Sequence, residues 1–215
     1  MFHTIWDSNP LIAYRIGMLK TVSRSQNNKS MIFQLPCALY PFRKQDILYF
    51  EYGRFQLINV FQRITLAQRA ECVAMWLKSG ALSSSAAAWE RSLQVCYLLI
   101  EKQSGQLIGV NTLYEALEPV SQKYWLHTRM FILLEYRGSR LMIIANGLML
   151  MYAKLCLAKT GIEGVVALNE NRKLYRPAMR KRFAHLGYQF GYKTQQQEAW
   201  FFIFKQIDFI FYPEK

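Results

Sequence analysis

A short basic loop before a long apolar helical pattern is the part of the sequence best suited to bind an anion. The loop spans Arg137–Arg140 with Gly138 inside it, and the helical pattern starts at Leu141. The first N–H groups of a helix have no intrahelical partner and carry partial positive charge, so such a junction binds phosphate or pyrophosphate. The arginines add formal charge, and the glycine allows close approach of the backbone. An ordinary turn with solvated arginines is the alternative interpretation.

The surrounding sequence predicts the elements that position this loop. Runs rich in β-branched and aromatic residues predict strands at Phe55–Ile64, Val95–Glu101, Leu107–Tyr114, Trp125–Leu134, Val165–Leu168, Tyr188–Tyr192 and Ala199–Phe204. Helical spacing and capping residues predict helices from Thr65 to Gly80, from Ser83–Ser85 to Trp89, over Leu141–Lys159 with an end at Gly161, and from Pro177 to Gly187. This mixed order predicts an α/β (α+β) fold with helices on the faces of a sheet.

Composition narrows the class of protein without naming a function. The chain has 215 residues, 52% of them hydrophobic, and 27 Lys and Arg against 14 Asp and Glu give a net charge of +13. These values exclude a disordered tail, a collagen-like chain and a disulfide scaffold. The positive field favours a polyanionic partner: a nucleotide-bearing cofactor, nucleic acid, an acidic carrier protein or an anionic membrane.

The cysteine spacing and the hydropathy pattern predict a metal-free cytoplasmic protein with no membrane span. No Cys-x-x-Cys pair occurs and no histidine neighbours a cysteine, so we expect reduced thiols at Cys37, Cys72, Cys96 and Cys156. The first 20 residues lack the apolar core of a secretory signal. Leu141–Ala158 is apolar but contains Asn146 and Lys154, which favours a buried amphipathic helix over a span.

The chain divides into an N-terminal extension, residues 1–54, and a domain over residues 55–215. The extension contains the polar stretch Ser23–Ser30, typical of a loop or linker, and gives no clear secondary-structure pattern. It is expected to pack on the domain or precede it. A lid, a wall of a substrate pocket and a dimer arm remain open as its role.

Two motifs resemble the GNAT superfamily of acyl-CoA-dependent N-acyltransferases. In that superfamily the fourth strand leads into a Gln/Arg-x-x-Gly-x-Gly/Ala loop, and Tyr136–Ser139 match its start. Arg140 stands where the superfamily prefers Gly, and Met142 stands where it prefers Gly or Ala. Downstream, Asn169 follows a strand, and Leu186–Tyr188 match the closing Leu-Gly-Phe/Tyr. The resemblance covers about residues 55–210.

The resemblance implies a fold, a co-substrate and the residues that bind it. The fold would be a mixed, mostly antiparallel sheet of six to seven strands flanked by helices. The co-substrate would be acetyl-CoA or another acyl-CoA, with a small-molecule or protein amine as acceptor. A strand amide at Leu133 or Leu134 would polarise the thioester carbonyl. The other cofactor-binding residues would be Arg137, Gly138, Ser139, Arg140, Leu141, Met142 and Asn169.

The proton-transfer residues depart from the superfamily pattern. Members often protonate the leaving thiolate with a tyrosine four residues before the closing glycine, where this chain has Phe183. Tyr175 lies nearby and could substitute, although a packing role explains it equally well. Many members carry a carboxylate base in the fourth strand, where this chain has His127, whose ordinary pKa near 6.5 suits the task. Glu115 is a second candidate base, and a structural role remains open for the histidine.

A basic cluster and an aromatic run complete the candidate surfaces. The cluster is a solvated face, a contact for the coenzyme's adenosine phosphate, a docking site for an acyl carrier protein, or a nucleic-acid footprint; its members are Arg172, Lys173, Arg176, Arg180, Lys181 and Arg182. We interpret the aromatic run as sheet core, and it also makes a homodimer plausible; its members are Trp200, Phe201, Phe202 and Phe204.

Three functions follow from these observations. The leading hypothesis is an N-acyltransferase that moves an acyl group, acetyl first, from coenzyme A to a primary amine by direct attack on the thioester. A variant uses long-chain acyl carrier protein or acyl-CoA donors to make N-acyl amino compounds. The third is a catalytically inactive module with this fold that binds a protein or, less favoured, nucleic acid.

Overall fold

The computed structural model describes residues 32–33, 42–158 and 162–204. Its strands are β1 Ile32–Phe33, β2 Phe42–Arg43, β3 Tyr49–Tyr52, β4 Phe55–Asn59, β5 Val95–Glu101, β6 Leu107–Glu118, β7 Lys123–Ile132, β8 Gly164–Asn169, β9 Gln189–Lys193 and β10 Glu198–Ile203. Its α-helices are α1 Leu66–Lys78, α2 Ser85–Ser92, α3 Leu141–Tyr152 and α4 Pro177–His185. Short 3₁₀ helices lie at Lys44–Ile47, Leu134–Tyr136 and Arg172–Tyr175.

Eight of these strands form one sheet, and β1 pairs with β2 separately. The order in the sheet is β3-β4-β5-β6-β7-β8-β10-β9. All neighbouring pairs are antiparallel except β7 and β8. The prediction of a mixed, mostly antiparallel sheet is confirmed, with eight strands in place of six or seven. The additional strand is β3, which pairs with β4 although it lies before the expected boundary at residue 55.

The parallel pair of β7 and β8 follows from the helix between them. Parallel strands need a long crossover connection, usually a helix, whereas antiparallel strands can be joined by a short turn. The helix α3 and a π-helical turn, Ala153–Leu157, supply that connection. As a result, β7 and β8 both end at the same edge of the sheet.

Helices cover the two faces of the sheet with separate apolar clusters. The long helix α3 packs on one face, where Leu141, Ile144 and Leu148 are fully buried together with Phe183 of α4. On the other face, Trp76 of α1 belongs to the second cluster with residues of α2, β5 and β6. The buried helix expected at Leu141 is confirmed. Within the described ranges, no helix is both long and apolar enough to cross a membrane.

Local signals in the sequence correctly placed the helix starts and the main hairpin. Thr65 caps α1 in a reciprocal arrangement with Gln68, and the Ser84 side chain caps α2. Gly105 adopts a positive φ in the turn between β5 and β6. Of the predicted aromatic core, Trp200, Phe202 and Phe204 are buried, whereas Phe201 is half-buried against Trp125, with ring centroids 4.8 Å apart.

Some boundaries differ from the expectation. β7 ends at Ile132 rather than at residue 134, because a 3₁₀ turn begins at Leu134. The α-helical part of α3 ends at Tyr152 and continues as the π-helical turn. Cys72 and Cys96 are buried thiols, as expected. The linker at residues 23–30, Cys37 and the helix end at Gly161 lie outside the described residues.

Candidate functional site

The parallel strands β7 and β8 separate toward their carboxyl ends. They pair at only three positions, the last of them Thr128 with Ala167. Beyond that point β7 continues to Ile132 and β8 to Asn169, while each strand stays paired with its other neighbour. A slot therefore opens between the strands at this edge, where ligands bind in many sheets with parallel strands.

The loop after β7 is built around Gly138. This glycine has φ of +91°, which L-residues rarely adopt, and an added Cβ would meet no atom within 4 Å. The Ser139 hydroxyl donates to the Tyr136 carbonyl (2.8 Å) and accepts from the Leu141 N–H (3.4 Å). Arg137 is exposed, and its Nε donates to the Ile132 carbonyl (2.7 Å), which ties the loop to the end of β7.

The N-terminus of α3 lies directly after this loop. Arg140 is the N-cap residue, and its own side chain does not cap the helix; the Ser139 hydroxyl bonds the N–H of Leu141. The first turn contains no acidic residue, so no carboxylate of that turn offsets the positive end of the helix dipole. Arg140 is exposed, Leu141 is buried and Met142 is half-buried. Residues 137–140 of the predicted loop thus form one exposed, positively charged turn at the edge where the slot opens, and Leu141 packs in the core.

The two strand amides proposed for the thioester carbonyl differ in their surroundings. The Leu133 N–H donates to the Ile108 carbonyl (2.9 Å), so it completes the sheet ladder. Leu134 is exposed, and its carbonyl accepts from the Arg137 N–H (3.2 Å). Of the two residues, Leu134 is the better candidate to donate a hydrogen bond to a ligand.

Two buried asparagines place unpaired polar atoms beside the slot. Asn169, at the end of β8, is buried, and its Nδ2 has no hydrogen-bond partner among the described residues. Asn111 of β6 donates from Nδ2 to Thr128 Oγ1 (3.2 Å), while its Oδ1 likewise has no partner there. An unpaired buried polar atom costs about 1–3 kcal/mol. A ligand with amide groups, such as the arm of coenzyme A, fits this donor and acceptor.

Sequence reasoning missed Asn111, although a lone amide in an apolar strand was a visible signal.

The candidate acid Tyr175 is held by the backbone. Its hydroxyl lies 3.1 Å from the carbonyl oxygens of both Asn169 and Gln196. Since the single proton is already directed at these carbonyls, the contacts favour a structural role. Phe183 stacks on Trp200 in the core, with ring centroids 5.5 Å apart. A hydroxyl donor is therefore missing at the position that the superfamily uses.

The two candidate bases are not brought together. His127 is buried beside Tyr114, with ring centroids 5.3 Å apart, and its Nε2 has no partner among the described residues. Burial and the charge of Arg129 lower the pKa of His127. Glu115 is exposed and pairs with Leu126 in register, on the opposite face of the sheet from His127.

A cavity of about 140 Å³ lies between the sheet and the α1–α2 region. Its lining includes Arg91 of α2, Arg129 of β7, Thr112 and Trp76. It also reaches Met130, whose sulfur lies 3.9 Å from Asn146 Nδ2 of α3 on the other face. The cavity lies on the face opposite to α3, against the part of β7 that follows its last pairing with β8. Sequence reasoning missed this cavity, because its walls come from α1, α2, the loop between them, β6 and β7, which only the fold brings together.

Solved structures with a similar fold are acetyltransferases. The ribosomal-protein-S5-alanine acetyltransferase from Vibrio fischeri matches with a TM-score of 0.50 at 14% identity, over 71% of this chain and 93% of that chain. A putative GNAT-family acetyltransferase from Bordetella pertussis matches with a TM-score of 0.51 at 16% identity, over 71% of this chain and 96% of that chain. The chain thus has the fold of GNAT-family acetyltransferases, as its motifs predicted. No protein-family model matches the sequence. No curated protein matches it either.

The buried His127 predicts a specific pH dependence of stability. Because its folded-state pKa lies below the ordinary value near 6.5, the unfolded chain takes up the proton first as the pH falls. Stability should therefore decrease below about pH 6.5. His127→Phe should lessen that decrease, measured as urea midpoints at pH 7.5 and 5.5.

His185, exposed at the end of α4, provides the control. His185→Phe should keep the acid-dependent loss of the unmodified protein. An equal loss in the His127 variant would contradict the assignment of a buried, neutral imidazole.

Proposed function

We propose that this protein is an acyl-CoA-dependent N-acyltransferase that transfers an acyl group, acetyl first, to a primary amine. The observation that carries the proposal is the slot between β7 and β8, with a helix N-terminus free of acidic residues at its mouth and amide groups beside it that have no partner among the described residues. A structural turn would need neither the slot nor the unpaired groups. The GNAT fold supports the same reaction class.

Each element of the site has a role in binding the donor. Backbone amides of Gly138–Met142 face the pyrophosphate, and the Arg140 guanidinium adds charge to this turn. Asn169 donates, and Asn111 accepts, hydrogen bonds with the amide-containing arm of coenzyme A. These contacts fix the thioester in the slot and exclude water from its carbonyl.

Alignment supplies most of the rate enhancement. A neutral amine attacks the thioester carbon, an N–C bond forms and the C–S bond breaks, and the sulfur leaves as thiolate. Holding the reactants together contributes on the order of 7–11 kcal/mol. The Leu134 amide polarises the carbonyl, and His127 accepts the amine proton through water. A thiol has an ordinary pKa near 8.5, so its thiolate leaves without the tyrosine that Phe183 replaces.

Thermal unfolding with acetyl-CoA and with a long-chain acyl-CoA tests the proposal first. A ligand at 100 times its dissociation constant stabilises a protein by about 2.7 kcal/mol. For a chain of this size the midpoint should rise by roughly 5–10 °C. The preferred chain length identifies the donor. If neither ligand raises the unfolding midpoint, the result would favour a carrier-protein donor or a non-enzymatic binding module.

Replacing Gly138 by proline tests the loop. Proline fixes φ near −65°, far from the observed +91°, and removes one backbone N–H. Gly138→Pro should weaken coenzyme A binding about tenfold or more by isothermal titration. Gly53, at φ of +54° in the β3–β4 turn, gives the matched control. Gly53→Pro should keep the affinity of the unmodified protein, and equal affinity in both variants would refute the loop assignment.

A donor on an acyl carrier protein is the second candidate, and the surface of α4 supports it. Arg180, Lys181 and Arg182 are exposed on this helix, close after the exposed Arg176. Arg180 forms an ion pair with the buried Glu198, whereas Lys181 has no carboxylate within 4 Å in the described ranges. Such a surface attracts an acidic protein at long range.

Charge reversal on α4 separates the two donors. The double variant Lys181→Glu, Arg182→Glu should lower transfer from acyl carrier protein about tenfold while transfer from acyl-CoA stays unchanged. Lys78→Glu, at the end of α1, makes one of the same charge changes away from α4 and should leave both rates unchanged. Reduced coenzyme A affinity in the double variant would instead assign α4 to the adenosine phosphate.

A further inference from the structure

We propose that the cavity between the sheet and the α1–α2 region binds the acceptor, and that the acceptor is a small amine carrying an anionic group recognised by Arg91 and Arg129. This inference rests on the proposed acyl transfer, because it assigns the second substrate of the same site. The anionic group is a carboxylate or a phosphate, both of which match the planar fork of a guanidinium.

The first argument is the charge inside the cavity. Arg91 and Arg129 are both half-buried and both line the same space of about 140 Å³. Within the described ranges, neither guanidinium has a carboxylate within 4 Å, whereas Lys102, Lys123 and Arg180 each do. Two like charges sharing a partly desolvated cavity repel each other, and an anion between them relieves that repulsion.

The position of each arginine is defined by its neighbours. The Arg129 guanidinium lies over the Tyr114 ring, 5.2 Å from its centroid, which holds the side chain against the sheet. Burial and the charge of Arg129 lower the pKa of Arg91, and the carboxylate of Glu170 opposes this shift. Glu170 follows directly after β8, at the edge where the slot opens. Its charge acts on Arg91, which therefore lies near that edge.

The remaining lining defines the body of the ligand. Trp76 and Leu82 contribute apolar wall, and Thr112 contributes one hydroxyl group. A cavity of this size accommodates a group comparable to benzene. Residues 129–131 of β7 line the cavity just beyond the last pairing of β7 with β8, so the proposal places the amine end of the acceptor at the edge where the slot opens. A short amine with an apolar body and one acidic group fits this arrangement.

Matched pairs of amines test the proposal. L-Leucine is compared with isoamylamine, which lacks the carboxylate, and phosphoethanolamine is compared with ethanolamine, which lacks the phosphate. The acidic member of at least one pair should show a kcat/KM about tenfold or more above the partner that lacks the acidic group. The pair that discriminates identifies the anion. Equal kcat/KM within both pairs would overturn the proposal while leaving acyl transfer intact.

Variants assign the discrimination to the cavity. Arg91→Gln and Arg129→Gln should each raise the KM for the acidic amine about tenfold, with little change for the neutral amine and in coenzyme A affinity. Lys78→Gln removes one positive charge outside the cavity and should leave the preference unchanged. An equal effect in this control would assign the preference to net charge and overturn the proposal.

Two further measurements separate failure of this inference from failure of the proposed function. The melting temperature of ligand-free Arg91→Gln should be no lower than that of the unmodified protein, because the variant removes one of two repelling charges. Binding of L-leucine and of phosphoethanolamine is also measured by NMR without any acyl donor. If neither acyl-CoA binds, the proposed coenzyme A donor is wrong, yet arginine-dependent binding of one acid still supports the anion site. Absence of that binding, or binding unchanged in both arginine variants, would overturn it.

Discussion

The single parallel pairing of β7 with β8 is the constraint on which the site depends. A parallel pair requires a crossover, and here the crossover is α3. One connection therefore places three features at the same edge of the sheet: the end of β7, the N-terminus of α3 and the end of β8. Because the two strands pair at only three positions, that edge is also where the sheet opens. The loop at Gly138 and the amide of Asn169 meet there although they are 31 positions apart in the sequence.

Part of the net charge of +13 comes from arginines that lie around the candidate site. Arg140 begins α3 on one side of the slot, and Arg91 and Arg129 line the cavity on the other side. Positive side chains therefore lie on both sides of the slot, and the same electrostatic rule, attraction of an anionic group, applies to each side.

Much of the fold could be predicted from the sequence because local rules decide it. The capping box at Thr65 and the positive-φ turn at Gly105 are each encoded within a few residues. The cavity could not be predicted, because Arg91 and Arg129 belong to a helix and a strand that only the tertiary fold brings together. Neither could the sheet hydrogen bond of Leu133, since register with Ile108 is a non-local property. The candidate site was thus predicted where it depends on a loop and missed where it depends on packing.

Phe183 stands where members of the superfamily often have a proton-donating tyrosine, and the unpaired polar atoms suggest what the proposed site relies on in its place. Asn111, His127 and Asn169 each hold a buried polar atom that has no partner in the described part of the chain, and all three lie on the strands around the three-position pairing. Each such atom costs about 1–3 kcal/mol in the ligand-free protein. A binding partner that satisfies them gains affinity, because the desolvation cost has already been incurred in folding. For the proposed attack of an amine on a thioester, such preorganisation would supply alignment, which is the contribution that depends least on a proton-donating side chain.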